Sequence, residues 1–485
     1  MTFKYLLFFS LLICGIVTIR SQEKVLEFSA DYPDTAMMQN SFTLVNSEDD
    51  SFTVFLSRKA DVEAYNFNKE MEIQGRMVST LLPAKFNIPL GGRVDDKAYT
   101  LFFSNKNKTK FAGVNFDFNT EISSTFDIDI KLTNEKFLAH FNYKNQFYLV
   151  TVSYREDFLN LYIFESSGSY EKKIIDLSNH EVFRTASYAV PVDQAFSADM
   201  TTRPIYKMHW VQKDVPYSLD SMTSLYKLYL TGDSIQFISD IHPNFTQVIT
   251  YGLINSDVQV RQFDQPFFER EDTMSNSFLS DGLLYQFRIN QKQMALNISD
   301  FKTQKILKEH RITKKEDLYL SSGPIRQRGG RYKKYRELEK TAQFLRKVGN
   351  GYPSIYVDKT NGTQKIVLGS VDEIDNSAIQ ALAFVNPFTA VASIGAVTLF
   401  FNPVALAMLR ASDTKAVYIT GYLDQNFQTT QVTEKDDIFY RVTDYLKQEK
   451  TKRYTAADIF QYKDYFLFGM LDKKTKQYSL RKFEK

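Results

Sequence analysis

Cysteine, tryptophan, glycine and proline are all scarce in this sequence, and each shortage excludes something. The one cysteine among 485 residues, Cys14, lies in an apolar N-terminal stretch. A chain trimmed of that stretch has no disulfide, no thiolate metal ligand and no cysteine nucleophile. The five histidines, His140, His180, His209, His242 and His310, are dispersed, with no HxH, HExxH or CxxC-type spacing, so no zinc motif is present. Glycine (19) and proline (12) are too few for collagen-like or low-complexity sequence. Charge of one sign is also lacking: 60 basic against 57 acidic residues leave a net of +3. A general nucleic-acid binder carries a clearer basic excess, so no nucleic-acid partner is expected. No Gly-rich phosphate loop, GxSxG elbow or kinase signature occurs, and neither a metal nor a cofactor is expected.

Phenylalanine (41) and tyrosine (29) are abundant, and 43% of residues are hydrophobic against 24% charged. That excludes a mostly disordered chain. Aromatic and β-branched residues favour strands, and the aromatics recur in short runs. The runs are Phe52–Leu56, Tyr99–Phe103, Phe147–Thr151, Ile235–Ile238, Leu283–Phe287, Ala416–Thr420 and Tyr465–Phe468. Several start 47 to 49 residues apart. Polar turns rich in Asx, Gly, Ser or Thr follow, among them those at Asn66, Asp117, Glu165, Asp300, Asp424 and Asp472. The acid pairs Asp49-Asp50, Asp95-Asp96 and Asp436-Asp437 precede strands. They lack the EF-hand pattern and read as charged turns that discourage edge pairing.

A unit of three or four strands repeating every 40–50 residues resembles a β-propeller blade. The resemblance is to propeller proteins of bacterial secreted or envelope type. It extends to fold only, because the WD, sialidase Asp-box and kelch signatures are missing. It implies an all-β fold of roughly seven or eight blades over residues 22–485; stacked β-sandwich domains are the alternative. A length/150 prior suggests about three domains, but one repeat domain can hold the chain.

Residues 1–21 carry Lys4 followed by fifteen apolar residues, Tyr5 to Ile19. That length suits a signal peptide better than a spanning helix, with cleavage after Ser21. A periplasmic, cell-surface or extracellular location is expected. Leu11 to Gly15 resembles a lipobox, but Ile13 precedes Cys14 where a small residue is usual. Asn107, Asn244, Asn297 and Asn361 head Asn-x-Ser/Thr sequences, which matter only in a eukaryotic secretory pathway.

Two segments depart from the repeat, in an expected insert at 320–410. Residues 326–347 hold nine basic and two acidic side chains, a local +7. The spacing of Tyr335, Leu338, Ala342, Leu345 and Val348 predicts an amphipathic helix over 333–348. Residues 376–409 carry no charge, but Asn386-Pro387 and Asn402-Pro403 isolate a core of only fourteen residues, short for a span. Together they nominate Arg326, Arg328, Arg331, Lys333, Lys334, Arg336, Phe388, Phe400 and Phe401 as an interaction surface. Asp95, Asp96, Asp281 and Asp413 are carboxylates that a propeller hydrolase could use, but each reads more simply as a turn residue.

The function expected is an exported, non-enzymatic binding or scaffold protein of the cell envelope. It is expected to be monomeric, with a protein or glycan ligand and a possible membrane surface as partners. The alternatives are a secreted hydrolase or lyase acting on glycans, and an envelope protein anchored by the apolar segment.

Overall fold

In the computed structural model the chain is all-β, built from many small sheets. The structure describes every residue except 1–21, 31–39, 58–60, 80–81, 84, 87, 197–203, 213–216, 270–272, 330–331, 361, 373–414, 433–437, 439–440, 443–444, 446–453 and 485. The expected signal peptide and the apolar core 388–401 therefore lie outside the described residues.

Seven sheets follow one another along the chain. Sheets one (40–79), two (88–128), three (135–176) and five (274–313) each have four antiparallel strands in sequence order. Sheet four (209–264) adds the short strand His209–Val211, parallel to Tyr226–Thr231, ahead of a regular four. Sheet six (325–423) has five strands out of sequence order. Sheet seven has three strands from 454–484, and its fourth is Gln22–Ser29 from the opposite end of the chain. That strand runs antiparallel to Gln477–Glu484, with Gln22 opposite Phe483 and Ser29 opposite Gln477.

The aromatic runs are the strands with a neighbour on each side. Phe52–Ser57, Ala98–Ser104, Gln146–Ser153, Ser234–Ser239, Leu283–Ile289, Ala416–Leu423 and Tyr465–Asp472 each lie inside their sheet, one per sheet. Both faces of such a strand are covered, so it reads as a continuous apolar run. The last strands of sheets one, two, three and five alternate or face water, leaving Ile73, Ile122, Ile174 and Ile306 exposed.

The recurring turns work as their composition implies. Asp117, Asp300, Asp424 and Asp472 accept backbone N–H groups of Asn119, Thr303, Asn426 and Lys474 at 2.7–2.9 Å. Asp50 and Asp96 take left-handed φ values of 61° and 52° in hairpin turns, a role Asp tolerates better than most residues. Asp281 (φ 47°) and Gly282 (φ 75°) form another such turn.

Most of the core lies between sheets, while one face of sheet seven is covered by Ile438, Val442 and Tyr445. Phe52, Tyr65 and Phe67 of sheet one meet Tyr462, Leu467 and Tyr478 of sheet seven. Phe55 and Met77 meet Tyr99 and Leu101 of sheet two. Phe102 of sheet two stacks 4.8 Å from Phe147 of sheet three. Phe141 and Leu161 pack with Leu228 and Phe237 of sheet four, and one large cluster joins sheets four, five and six. A small sheet cannot bury its faces alone, so each neighbour supplies the cover.

Two expectations need correction. The helix predicted over 333–348 divides into a strand, Tyr332–Leu338, and a shorter helix, Thr341–Val348. Tyr335 and Leu338 belong to the strand, while Leu345 and Val348 are buried in the helix. Two short elements laid end to end mimicked one helical period. Nor do residues 325–371 stand apart as an insert: they supply four of the five strands of sheet six. Among the described residues no helix is long and apolar enough to cross a membrane.

Candidate functional site

Of the nominated basic residues, Arg336 does not share a face with Arg326 and Arg328. Arg336 is exposed and pairs across the ladder with Gln327, whereas Arg326 and Arg328 flank Gln327. Successive strand residues point to opposite faces, so Arg336 shares a face with Gln327, and Arg326 and Arg328 take the other. Arg328 is committed to an ion pair, its guanidinium 2.6 Å from the fully buried carboxylate of Asp220. Lys333 and Lys334 belong by backbone to the strand Tyr332–Leu338. Arg331, Phe388, Phe400, Phe401 and Asp413 lie outside the described residues.

The most deeply buried charges are ones the sequence did not mark. Lys227, in the strand Tyr226–Thr231, and Asp240, one residue beyond Ser234–Ser239, are both fully buried, 3.1 Å apart. The Lys227 ammonium also donates to Asn276 Oδ1 at 2.7 Å. Asp240 accepts from Thr246 Oγ1 at 2.8 Å, and from Ser277 N and Oγ at 2.9 Å each. Asn276 in turn donates to the Met222 and Pro353 carbonyls. Burial pulls the Lys227 amine down from its ordinary value, and the Asp240 charge and hydrogen bond oppose that. With its carboxylate oxygens occupied, this cluster pins sheet four to sheets five and six. It holds geometry instead of offering a free acid or base.

A second pin joins sheets two and three. Arg93, nearly buried, donates Nε–H to Asp95 at 2.6 Å and a terminal N–H to the Phe164 carbonyl at 2.8 Å, and it pairs with Glu165 at 2.8 Å. It also meets Gln146, and Ser166 donates to Asp95. Partial burial pushes the Asp95 carboxyl up, but the hydrogen bonds from Arg93 and Ser166, with the guanidinium charge, outweigh it and hold it below its ordinary value. Asp95 therefore works as a fastener, where the sequence allowed a catalytic acid.

Two expectations follow from this pin. A group with a depressed folded pKa contributes above its unfolded value near 3.8 and loses that contribution as pH falls through the folded value. Wild-type and Asp95→Asn should therefore differ in thermal midpoint at pH 6 and converge toward pH 3. Arg93→Met should cost about 2–3 kcal/mol, because it strands hydrogen-bonded partners on both sheets; urea unfolding measures it.

Sheet three has a similar internal tie. Glu135 accepts from Tyr162 at 2.8 Å and pairs with Lys172 at 2.6 Å. No group of three or more His, Cys, Asp or Glu side chains that would hold a metal occurs among the described residues.

No protein-family model and no curated protein matches the chain. Solved structures that resemble it do so distantly. The apocarotenoid oxygenase of Synechocystis is similar at 7% identity over 56% of this chain and 61% of that one, with a TM-score of 0.30. AofleA from Arthrobotrys oligospora is similar at 9% identity over 73% and 84%, with a TM-score of 0.26. A prolyl endopeptidase is similar at 9% identity over 92% of this chain and 50% of that one, with a TM-score of 0.36. The chain spans about three fifths of the length of the oxygenases it matches. At these scores the likeness transfers neither a fold assignment nor an activity, and what the chain shows by itself is a succession of small antiparallel β-sheets.

Proposed function

We propose that the chain is a seven-bladed β-propeller acting as an exported binding or scaffold protein of the cell envelope. The observation that carries the fold is the mixed sheet seven. Its first strand comes from residues 22–29 and its others from 454–484, which is how a ring of blades is tied shut. Sheets one to five each pack against the next in chain order, and sheet seven packs against sheet one, as blades around an axis do.

The binding role is supported by where the buried charge goes. Lys227, Asp240, Arg93, Glu135 and Asp220 all serve to fasten one strand or sheet to another. A frame stiffened in this way presents its turns and exposed strand edges as recognition surfaces. The charged outer strand of sheet six, where Arg336 is exposed, is one such edge.

The test is to express the full chain, and one lacking residues 1–21, in a Gram-negative host. The full chain should fractionate with the periplasm or outer membrane, and the shortened one should stay in the cytosol. The purified protein should retain acidic envelope polysaccharide without shortening it on size-exclusion chromatography. Cytosolic retention of the full chain overturns export, and depolymerised polysaccharide overturns the non-enzymatic role. Electron microscopy of negatively stained particles checks the propeller, which should appear as a ring.

A further inference from the structure

The Lys227–Asp240 pin is closed to an outside molecule, but its members face one another as the parts of a reaction. Lys227 Nζ lies 2.7 Å from Asn276 Oδ1 and 3.1 Å from Asp240 Oδ2. Chemistry fixes which atom of the amide is which. Asn276 Nδ2 faces two backbone carbonyls, of Met222 at 3.1 Å and Pro353 at 3.0 Å, and these only accept. Its Oδ1 faces an ammonium, which only donates. Ser277 N–H, Ser277 Oγ and Thr246 Oγ1 hold the carboxylate in place beside the amine. A primary amine, a primary amide and a carboxylate therefore meet in one buried cluster.

An amine adds to an acyl carbon only in its neutral form, which desolvation favours. Burial pulls Lys227 below its ordinary value, against the Asp240 charge and hydrogen bond. Asp240 is placed to take the proton, because its Oδ2 already accepts from the ammonium. Holding all three groups in one fixed arrangement removes the entropy of bringing them together. The chain also has a use for such a bond. Its single cysteine excludes an intrachain disulfide, so a covalent tie between sheets has to use other side chains.

We propose that Lys227 and Asn276 join in an intramolecular isopeptide bond, with Asp240 as the catalytic residue. The ammonium gives a proton to Asp240. The neutral amine then adds to Asn276 Cγ, forming the new C–N bond. Asp240 passes its proton to Nδ2, held by the Met222 and Pro353 carbonyls, and takes one from the attacking nitrogen. The Cγ–Nδ2 bond breaks, and ammonia leaves with the remaining proton as ammonium. The balance is one lysine ammonium and one asparagine amide giving one secondary amide and one ammonium ion, with Asp240 returned as carboxylate. The product ties the strand Tyr226–Thr231 of sheet four to the strand Met274–Ser280 of sheet five. It concerns the frame and stands whether or not the chain binds polysaccharide.

Mass spectrometry of the purified chain tests it. The intact mass should be one ammonia short of the sequence mass, and a digest of the unfolded chain should contain a branched peptide joining Lys227 to Asn276. Cyclisation of a Gln22 terminus also releases ammonia, so variants separate the two sources. Lys227→Met and Asn276→Ala should each regain one ammonia and lose the branched peptide. Asp240→Asn keeps the side-chain shape and should form the bond at least about a hundredfold more slowly, the scale of a lost acid–base group. Asp240→Glu keeps a carboxylate and should still form it. A wild-type digest with no branched peptide after prolonged incubation overturns the bond, and that reading needs no variant to fold. An ammonia deficit that persists unchanged in Lys227→Met overturns it as well. Bond formation in Asp240→Asn at the wild-type rate removes Asp240 from the chemistry.

Discussion

Asp240→Ala should lower the free energy of unfolding by about 3–5 kcal/mol, the range for removing one partner of a buried ion pair. The reason is what remains behind. Lys227 is fully buried and would be left with only Asn276 to accept from it. Ser277 N–H, Ser277 Oγ and Thr246 Oγ1 would lose their acceptor as well. Replacing both members with apolar residues, as in Lys227→Met with Asp240→Leu, should cost much less than the single change, since no charge is then stranded. Chemical unfolding followed by circular dichroism measures both. A single substitution that costs under about 1 kcal/mol would show that water reaches the pair and that it does not pin the sheets.

Deleting residues 22–29 should be more damaging still. The strand covers the edge of Gln477–Glu484 with an antiparallel ladder that shifts register at Val25. Its Phe28 ring lies 4.6 Å from Tyr65, 5.2 Å from Phe67 and 5.3 Å from Tyr478, so it touches sheet one as well as its own sheet. Loss of one half-buried aromatic costs roughly 2–3 kcal/mol, and fully buried ones cost 3–5. With the ladder included, the deletion should exceed about 4 kcal/mol. It also bares an edge strand, which invites pairing between molecules. Size-exclusion chromatography should show aggregates, and a synthetic peptide of residues 22–30 should restore the monomer. A truncated chain that stays monomeric with an unchanged melting midpoint would mean that the strand merely decorates the sheet.

The architecture was legible where the chain is most buried. Runs such as Phe147–Thr151 stand out because strands covered on both faces leave no room for polar alternation. Seven of them mark seven sheets. The turns were legible for a second reason: Asp117 and Asp300 announce their Asx hydrogen bonds by residue type. Sheet six was not. Its strand Ile325–Gly329 alternates buried Gln327 with Arg326 and Arg328, and its partners come from later in the chain. Gln327 is polar yet fully buried, so a search for apolar periods passes over it. The charged pins were invisible for a related reason. Lys227 and Asp240 are ordinary residues in the sequence, and only the apposition of three strands removes them from water. Arg328 shows the opposite error: it looked like part of a free basic patch, yet Asp220, more than a hundred residues earlier, engages it.

The seam in sheet seven has a bearing on how the molecule is made. The strand that begins the described chain pairs with the strand that ends it. A contact between distant segments carries a loop-closure entropy that local hairpins do not. Sheets one to five are local in sequence and can form as soon as their own strands are available. Sheet seven cannot, because its edge waits for the final hairpin. A nascent chain therefore carries the strand Gln22–Ser29 unpaired until residues 477–484 have been made, so this pairing comes after the local sheets can form. Changes in that seam should slow the final phase of refolding while leaving the earlier phases untouched.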